Sequence, residues 1–316
     1  MSQIDSCPII VACAADDRYA MPMAVMLRSV IENISDDRQI YIYAIDAGIA
    51  ELNKKKIASS LGHKLVTFNW IETSISLPNN LPLAKDVLPH VSQAVYYRLL
   101  LADILPLEYE KVIYLDSDLI VLQDIDRLWK IEIGENYVMA VQDCSITLVS
   151  SPYGLKRYKE LNILYDCKYF NSGVMIVNLK KWRSENISIK LFEYLEINRD
   201  DIQHHDQDAM NALFAGHWGE LEPQWNQTPL IFNYSSWKES PYQEVDYYNA
   251  INNPSIVHFA SSSKPWNSNQ RHPSRYLFYH YLDLTKWSGW RFTIWTRFQQ
   301  KLVKIIKQST PFPLKE

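Results

Sequence analysis

The chain has 316 residues, 47% of them hydrophobic, which is enough for one large α/β domain or two modest ones with a substantial core. Its formal net charge of -4 gives no overall attraction to nucleic acid, so any anionic ligand must be held by local basic groups. Only eight glycines occur, and neither G-x-G-x-x-G nor G-x-x-x-x-G-K-[ST] is present, which argues against Rossmann dehydrogenases and P-loop NTPases.

The four cysteines lack C-x-x-C spacing and are better explained as reduced core thiols than as a disulfide framework or a zinc site. We therefore expect a cytoplasmic protein. The N-terminal sequence MSQIDSCPII has no cationic region before its apolar stretch, and no run reaches 18 apolar residues. The sequence predicts neither a signal peptide nor a membrane span.

From the N-terminus onward, short apolar runs rich in β-branched residues alternate with segments of helical periodicity. Strands are predicted in residues 8–15, 40–47, 64–71, 111–115, 137–143, 169–179 and 254–260. Helices are predicted between them, including YYRLLLADIL at 96–105 and HDQDAMNALF at 205–214. This alternation is typical of an α/β fold in which one mostly parallel sheet is flanked by helices, and we assign that domain to residues 1–285.

Residues 286–316 differ from the rest, with three tryptophans, seven Lys or Arg residues and a single acid, Glu316. A basic amphipathic helix with tryptophan fits an anionic membrane surface, which would make the protein peripheral on the inner face of the membrane. The alternative is a smaller C-terminal helical extension that packs on its own domain. The sequence leaves both interpretations open.

Three Asp-x-Asp pairs occur, and only the first lies in apolar sequence on both sides. Asp116 and Asp118 follow the predicted strand KVIYL, and carboxylates are costly inside a strand that is buried on both faces. At the C-terminal end of a strand, where open α/β sheets bind ligands, oxygen donors at this spacing suit Mg²⁺ or Mn²⁺. For the second pair, Asp124 and Asp126, a solvated turn or a helix N-terminus is the simpler interpretation.

Other polar residues fall near the ends of predicted strands. His258 lies in PSIVHFA, and a histidine that joins two aspartates gives the mixed donors that suit Mn²⁺, although a hydrogen-bonded core histidine is commoner. Lys264 follows on a loop, where it is either a cation for a bound diphosphate or a solvated lysine. Arg98 is surrounded by apolar residues and therefore needs an anionic partner.

The segment HHDQDAMNALF carries the third aspartate pair. Asp206 is expected to be the N-cap of a helix, with Asp208 in its first turn. Both acids, together with Gln207, also suit a pocket that binds sugar hydroxyls. Asn171 in an NSG turn has the same two interpretations. The two histidines that begin the segment are expected to face solvent.

Several motifs, spread over residues 8–266 and in a fixed order, resemble glycosyltransferase family 8, in particular the bacterial lipooligosaccharide α-galactosyltransferases. The matching segments are AADDRY, IDAGI, HVSQAVYYRL, YLDSDLIV, YFNSGVMIVNLKKW, HDQDAMNALF and HFASSSKPW. The resemblance implies a nucleotide-sugar-binding domain of the GT-A type, a UDP-galactose or UDP-glucose donor, and Mn²⁺ at the diphosphate, with Mg²⁺ as the alternative. It also implies transfer with retention at the anomeric carbon to a glycan, a glycolipid or another hydroxyl acceptor.

Carried over by motif, the resemblance assigns roles to individual residues. The metal ligands would be Asp116, Asp118 and His258. The uridine would contact Ala14, Asp16, Tyr19 and Asp116; the transferred sugar Arg98, Asn171, Asp206 and Gln207; the diphosphate Lys264; and the acceptor His90 and Tyr19. Two positions depart from the pattern: Arg18 stands where close relatives carry Asn, and Ser261 replaces a Gly beside the diphosphate. We expect both departures to alter the fit of the donor.

Retention usually implies a carboxylate nucleophile and a covalent intermediate, yet the motif places the amide Gln207 on the expected face. Asp206 and Asp208 are then the candidate nucleophiles. We favour front-face attack instead, in which the acceptor hydroxyl enters on the leaving-group side and the diphosphate accepts its proton. The alternative functions are a nucleotide-sugar-binding protein without transferase activity and a nucleotidyltransferase, although the chain has AADDRYAMP where the latter needs a glycine-rich loop.

Overall fold

The central layer of the molecule is a seven-stranded sheet of order β3-β2-β1-β4-β7-β6-β8. The computed structural model describes residues 7–62, 65–72, 77–78, 81–82, 93–268, 272–293 and 295. Within these residues the sheet contains β1 (Ile9–Ala15), β2 (Ile40–Asp46), β3 (Val66–Glu72), β4 (Lys111–Leu115), β6 (Val138–Gln142), β7 (Phe170–Asn178) and β8 (Gly219–Glu220). A separate pair is formed by β5 (Leu119–Val121) and β9 (Ile256–His258).

Neighbouring strands of the large sheet are parallel except where β7 is involved, since β7 runs antiparallel to both β4 and β6. The predicted mostly parallel α/β sheet is therefore confirmed. Each apolar run predicted as a strand overlaps one. The short strands β5 and β8, of three and two residues, were not predicted because they are too short to show a periodicity.

Helices cover both faces of the sheet. They are α1 (Ala20–Asn33), α2 (Glu51–Leu61), α3 (Leu101–Ile104), α4 (Asp126–Trp129), α5 (Leu179–Ser184), α6 (Ile187–Ile197), α7 (His205–Phe214), α8 (Glu244–Asn252) and α9 (Arg275–Leu282). Because side chains alternate along a strand, every second residue of the fully buried β1 packs with α1 and α2, and the others share a core with α5, α6 and α7.

The segment before α3 corrects one prediction of a regular helix. Gln93–Leu100 is a 3-10 helix, and only the four residues of α3 continue it as α-helix. The helix predicted at 205–214 is confirmed, with α7 occupying that range.

The short sheet corrects the expectation that His258 ends a strand of the main sheet. Leu119 pairs with His258 and Val121 with Ile256, in antiparallel order. Since β5 begins directly after Asp118, this pairing sets the end of β9 beside the aspartate pair. Proximity therefore arises from a second sheet and not from convergence of parallel strands.

The start of the C-terminal segment contacts the main domain. The backbone N–H of Lys286 donates to Ser60 Oγ at 2.9 Å, and Trp287 packs against the core with Lys56 Nζ 5.2 Å from its ring. Most of residues 294–316, on which the membrane interpretation depends, lie outside the described residues. No helix in the described ranges combines the length and apolar character needed to cross a bilayer.

Candidate active site

A cavity of about 470 Å³ opens where β1 and β4 end, between β7, the first turn of α7 and the loop after β9. It brings together most of the residues predicted from the sequence: Ala14, Asp16, Tyr19, Arg98, Asp116, Asp118, Asn171, Asp206, Gln207, His258 and Lys264. Asp208 does not line it, and His90 lies outside the described residues. Ligands of open α/β sheets bind at this edge.

Asp116, Asp118 and His258 form a cluster whose ligand atoms all lie within 4.8 Å of one another. His258 Nε2 is 3.2 Å from Asp118 Oδ1 and 3.8 Å from Asp116 Oδ2. Two carboxylates and one imidazole suit a divalent cation such as Mn²⁺. The backbone leaves room for this set, because a Cβ on Gly173 would lie 2.3 Å from His258 Cε1 and 3.0 Å from Asp116 Oδ2.

Arg98 has the anionic partners that its apolar surroundings required. Its Nη2 donates to Asp116 Oδ1 at 2.7 Å, its Nε lies 3.1 Å from Asp206 Oδ2, and its Nη1 donates to the Ser172 carbonyl at 2.9 Å. Burial disfavours the charge, but Asp116 and Asp206 outweigh it and raise the pKa of the guanidinium. The side chain is a fixed cation between two carboxylates of the cavity.

Lys264 is buried and pairs with the other aspartate of the cluster. Its ammonium donates to Asp118 Oδ2 and, at 2.6 Å, to the Phe259 carbonyl. Burial alone would raise the pKa of the Asp118 carboxyl, but the charges of Lys264 and His258 lower it overall. The interpretation of Lys264 as a solvated lysine is wrong for this structure.

The third aspartate pair divides between two roles. α7 begins at His205, so Asp206 is inside the helix and not its N-cap as expected. Asp208 Oδ2 instead accepts the backbone N–H groups of Gln203 and His204 at 2.6 and 2.8 Å, which ties down the chain entering the helix. Burial raises the pKa of the Asp206 carboxyl, and Arg98 partly offsets this.

Asp143 lines the cavity and was missed from the sequence. Its Oδ2 accepts from Asn171 Nδ2 at 3.0 Å and Gln207 Nε2 at 3.4 Å, while its Oδ1 accepts from the backbone of Ser145 and Ile146. The residue follows the strand YVMAVQ as Asp116 follows KVIYL. The signal that marks Asp116 in the sequence, an acid directly after a buried strand, therefore also marks Asp143.

The second aspartate pair remains structural, as expected. Asp126 begins α4 and pairs with Arg38 through Nε at 2.8 Å, and Asp124 Oδ1 accepts the backbone N–H of Asp126. Neither aspartate lines the cavity.

Comparison with known proteins decides the family. The model of glycosyl transferase family 8 matches residues 10–270. The chain belongs to glycosyl transferase family 8. General stress protein A of Bacillus subtilis is 34% identical over 282 residues, covering 88% of this chain and 94% of that protein. Lipopolysaccharide 1,2-glucosyltransferase of Escherichia coli is 25% identical, covering 88% and 78%.

Among solved structures, galactosyltransferase LgtC in complex with donor and acceptor sugar analogues superposes with a TM-score of 0.73 at 27% identity, covering 88% of this chain and 96% of that chain. The sheet and its flanking helices have the GT-A architecture of that enzyme, as predicted. The resemblance of the motifs to family 8 is likewise confirmed.

In this family 8 chain the turn after β1 forms one end of the cavity, with Ala14, Asp16 and Tyr19 among its lining residues. Asp16 Oδ2 pairs with Arg18 Nη2 at 2.7 Å, so the departure at position 18 adds an ion pair beside a predicted uridine contact. Burial, with Asp118 and Asp116 nearby, raises the pKa of the Tyr19 phenol, which stays neutral. Ser261 Oγ donates to the Ser263 carbonyl at 2.8 Å, within the loop that carries Lys264.

The expectation that His204 and His205 both face solvent is wrong. His205 is buried with a φ of +52°, a left-handed conformation that is uncommon outside glycine, and its Nδ1 lies 3.2 Å from the Pro82 carbonyl. His204 is half-buried, and both line the cavity. Through this contact with Pro82, His205 joins residues 81–82 to the first turn of α7.

Proposed function

We propose that this family 8 chain is a retaining hexosyltransferase that moves galactose or glucose from UDP to a hydroxyl of a glycan or glycolipid, with Mn²⁺ bound at the diphosphate and Mg²⁺ as the alternative cation. The observation that carries the proposal is the cluster of Asp116, Asp118 and His258 in one cavity with Lys264. The acids and amides at the other end of that cavity suit a neutral polyhydroxyl ligand. A glucosyltransferase and a galactosyltransferase among the relatives support a hexose donor.

Different residues of the cavity would contact different parts of the UDP-sugar donor. In this proposal Ala14, Asp16 and Tyr19, which line the cavity, would contact the uridine, and Lys264 would contact the diphosphate. A divalent cation held by the cluster would supply Lewis-acid stabilisation of the leaving diphosphate. Around it, the buried walls exclude water, and Lys264 adds a positive charge where negative charge develops.

The side chains at the proposed sugar end of the cavity, Asn171, Asp206 and Gln207, favour front-face attack. Gln207 Oε1 accepts the backbone N–H of Ser172 at 3.0 Å, so the amide oxygen is already engaged and is a poor nucleophile. Asp206 is paired with Arg98, and Asp208 is turned to the backbone that precedes α7. With no free carboxylate among these three candidates, we propose that Gln207, Asp206, Asn171 and Asp143 orient the hexose. The incoming hydroxyl would pass its proton to the leaving diphosphate.

Of the two predicted acceptor contacts, Tyr19 is among the described residues and lines the cavity. Its ring packs edge-to-face against Trp266, with 5.9 Å between the ring centroids. We keep His90 as a proposed acceptor contact. A peripheral position on the inner face of the membrane, through residues 286–316, remains a proposal that would bring a glycolipid acceptor to the cavity. No observation favours the binding protein without turnover or the nucleotidyltransferase.

The decisive measurement is UDP release by the purified protein from a panel of UDP-hexoses with Mn²⁺, with and without glycan acceptors. We expect release from UDP-galactose or UDP-glucose that rises with an acceptor and falls at least about 100-fold in Asp118→Ala. Asp124→Ala is the matched control, since it removes an aspartate of the structural pair. Absence of release with every donor and every divalent metal would contradict the proposal.

A further inference from the structure

Among the described residues, five carboxylates line the cavity, and they differ in whether a cation accompanies them. Four are in an ion pair with Lys or Arg, and these pairs are Asp16–Arg18, Asp116–Arg98, Asp206–Arg98 and Asp118–Lys264. The fifth is Asp143, which is 6% exposed and for which the described part of the chain provides no ion pair. It is a buried acid whose charge the other groups of the cavity do not require.

Neutral donors hold Asp143 in place. Its Oδ1 accepts the backbone N–H groups of Ser145 and Ile146 at 2.7 and 3.1 Å, and also the Ser145 hydroxyl at 2.7 Å. Its Oδ2 accepts from the side-chain amides of Asn171 and Gln207 at 3.0 and 3.4 Å. Each of these partners donates and none is charged, so Asp143 is a carboxylate anion whose negative charge is not cancelled by its contacts.

The lysine and arginine of the cavity lining are already engaged by other carboxylates. Arg98 is shared by Asp116 and Asp206, and Lys264 is paired with Asp118. An anionic group that enters beside Asp143 would therefore meet an uncancelled negative charge and no free Lys or Arg of the described lining. A buried charge without a counter-charge is costly, and such groups are concentrated at sites that act on a ligand.

We propose that Asp143 is a specificity-determining residue that restricts the donor to uncharged hexoses and rejects hexuronates. A hexose and the matching hexuronate differ only at C6, where a carboxylate replaces the CH₂OH group. At an effective dielectric constant of about 20, two like charges about 6 Å apart repel strongly enough to weaken binding roughly 100-fold. An uncharged hexose avoids this repulsion, and its hydroxyls can donate to the carboxylate of Asp143.

The inference rests on the proposed function for the class of ligand, a UDP-sugar, and for the end of the cavity that receives the sugar. Asn171 and Gln207, the two amides that donate to Asp143, are the proposed contacts of the transferred hexose. The charge of Asp143 therefore belongs to the sugar end, away from the diphosphate, and it acts on the donor through its C6 substituent.

The test compares donors that differ only at C6: UDP-galactose with UDP-galacturonate, and UDP-glucose with UDP-glucuronate. Affinities are measured by calorimetric titration with Mn²⁺ present, at about pH 8, where histidine is ordinarily neutral and adds no positive charge to the cavity. In the wild type we expect each hexuronate to bind roughly 100-fold more weakly than its hexose. In Asp143→Asn, which keeps an oxygen to accept the N–H groups of Ser145 and Ile146, this ratio should fall to about tenfold or less.

A second variant separates the charge of Asp143 from its role in the turn. Asp143→Glu keeps the charge but lengthens the side chain, so it should weaken both donors and preserve the preference for the hexose. Each ratio compares two donors on one preparation, and partial misfolding of a variant therefore cannot imitate a loss of selectivity. Asp124→Asn is the matched control, because Asp124 Oδ1 also accepts the backbone N–H two residues further on, at 2.8 Å, but lies outside the cavity lining. It should keep the wild-type ratio.

The outcomes distinguish this inference from the proposed function. Equal affinity of the wild type for a hexose donor and its hexuronate would overturn the inference, as would an unchanged ratio in Asp143→Asn, even if UDP is released from the hexose donor. Selective binding that is lost in Asp143→Asn, without UDP release from any donor, would support the role of Asp143 and contradict the transferase part of the proposed function. Failure of every UDP-sugar to bind would overturn both.

Discussion

Each carboxylate of the proposed metal cluster, Asp116 and Asp118, is paired with its own buried cation, and the two pairs differ in how firmly they are held. Arg98 contacts Asp116, Asp206 and the Ser172 carbonyl at once, so its position is fixed from three sides. Lys264 contacts Asp118 and one carbonyl, and it belongs to a loop. Of the two cations, Lys264 is the one that can leave its aspartate when another cation arrives.

Replacing Lys264 by Met should therefore raise the affinity for the metal and lower the affinity for the nucleotide. The ammonium competes with a metal for Asp118, so Lys264→Met should bind Mn²⁺ about tenfold more tightly when no nucleotide is present, equivalent to about 1.4 kcal/mol. UDP should bind the Mn²⁺-loaded variant more weakly, because a cation for the diphosphate is lost. Calorimetric titrations with Mn²⁺ and then UDP measure both effects.

Lys54→Met is a suitable control for that experiment, because Lys54 also forms an ion pair with an aspartate, Asp46, at 2.5 Å but does not line the cavity. Mn²⁺ affinity that falls or stays constant in Lys264→Met would show that the lysine does not compete for the site.

At the scale of elements, strands and helices with a regular hydrophobic pattern could be predicted from the sequence, whereas positions that depend on tertiary contacts could not. The strands of the large sheet other than β8, and the helix α7, follow from apolar runs and helical spacing, and the acids after the strand β4 follow from the cost of burying charge. The position of His258 beside them could not be predicted, because it depends on β5 leaving the sheet to pair with β9.

Strand β7 carries a prediction at this scale, because it passes directly under the metal cluster. Gly173→Ala would place a methyl group 2.3 Å from His258 Cε1 and 2.8 Å from its Nδ1, so the ring must shift from its present position. We expect Mn²⁺ affinity to fall about 10-fold or more while far-UV circular dichroism shows an intact fold. Wild-type Mn²⁺ affinity in the variant would mean that the cluster does not hold the metal in this geometry.

At the scale of the whole molecule, a separate core cluster packs the C-terminal helix α9 and strand β9 against α1 and β5. It contains Val25 of α1, Ile120 of β5, Val257 of β9 and Phe278 of α9, with Phe259 in the same cluster. Since β9 delivers His258 and the following loop delivers Lys264, the stability of this cluster decides whether the active site is assembled. A titrating group within it would connect pH to the whole fold.

His272 is such a group. Its ring packs against Phe259 with 4.9 Å between centroids, its Nδ1 accepts the backbone N–H of Ser274 at 3.1 Å, and burial lowers the pKa of the imidazole from 6.5 to about 4. Because the unfolded chain takes up this proton first, the free energy of unfolding should fall as the pH drops from about 6.5 to about 4. It should change no further through this group at lower pH.

His272→Gln removes the group and should therefore lose less stability than the wild type between about pH 7 and about pH 5, as measured by urea unfolding. We expect the difference to be on the order of 1 kcal/mol once solvent screening of this half-buried ring is allowed for. His280→Gln, in the neighbouring helix α9, is the control and should keep the pH dependence of the wild type. If His272→Gln and the wild type lose the same free energy over this range, the cluster that assembles the active site is not controlled by His272.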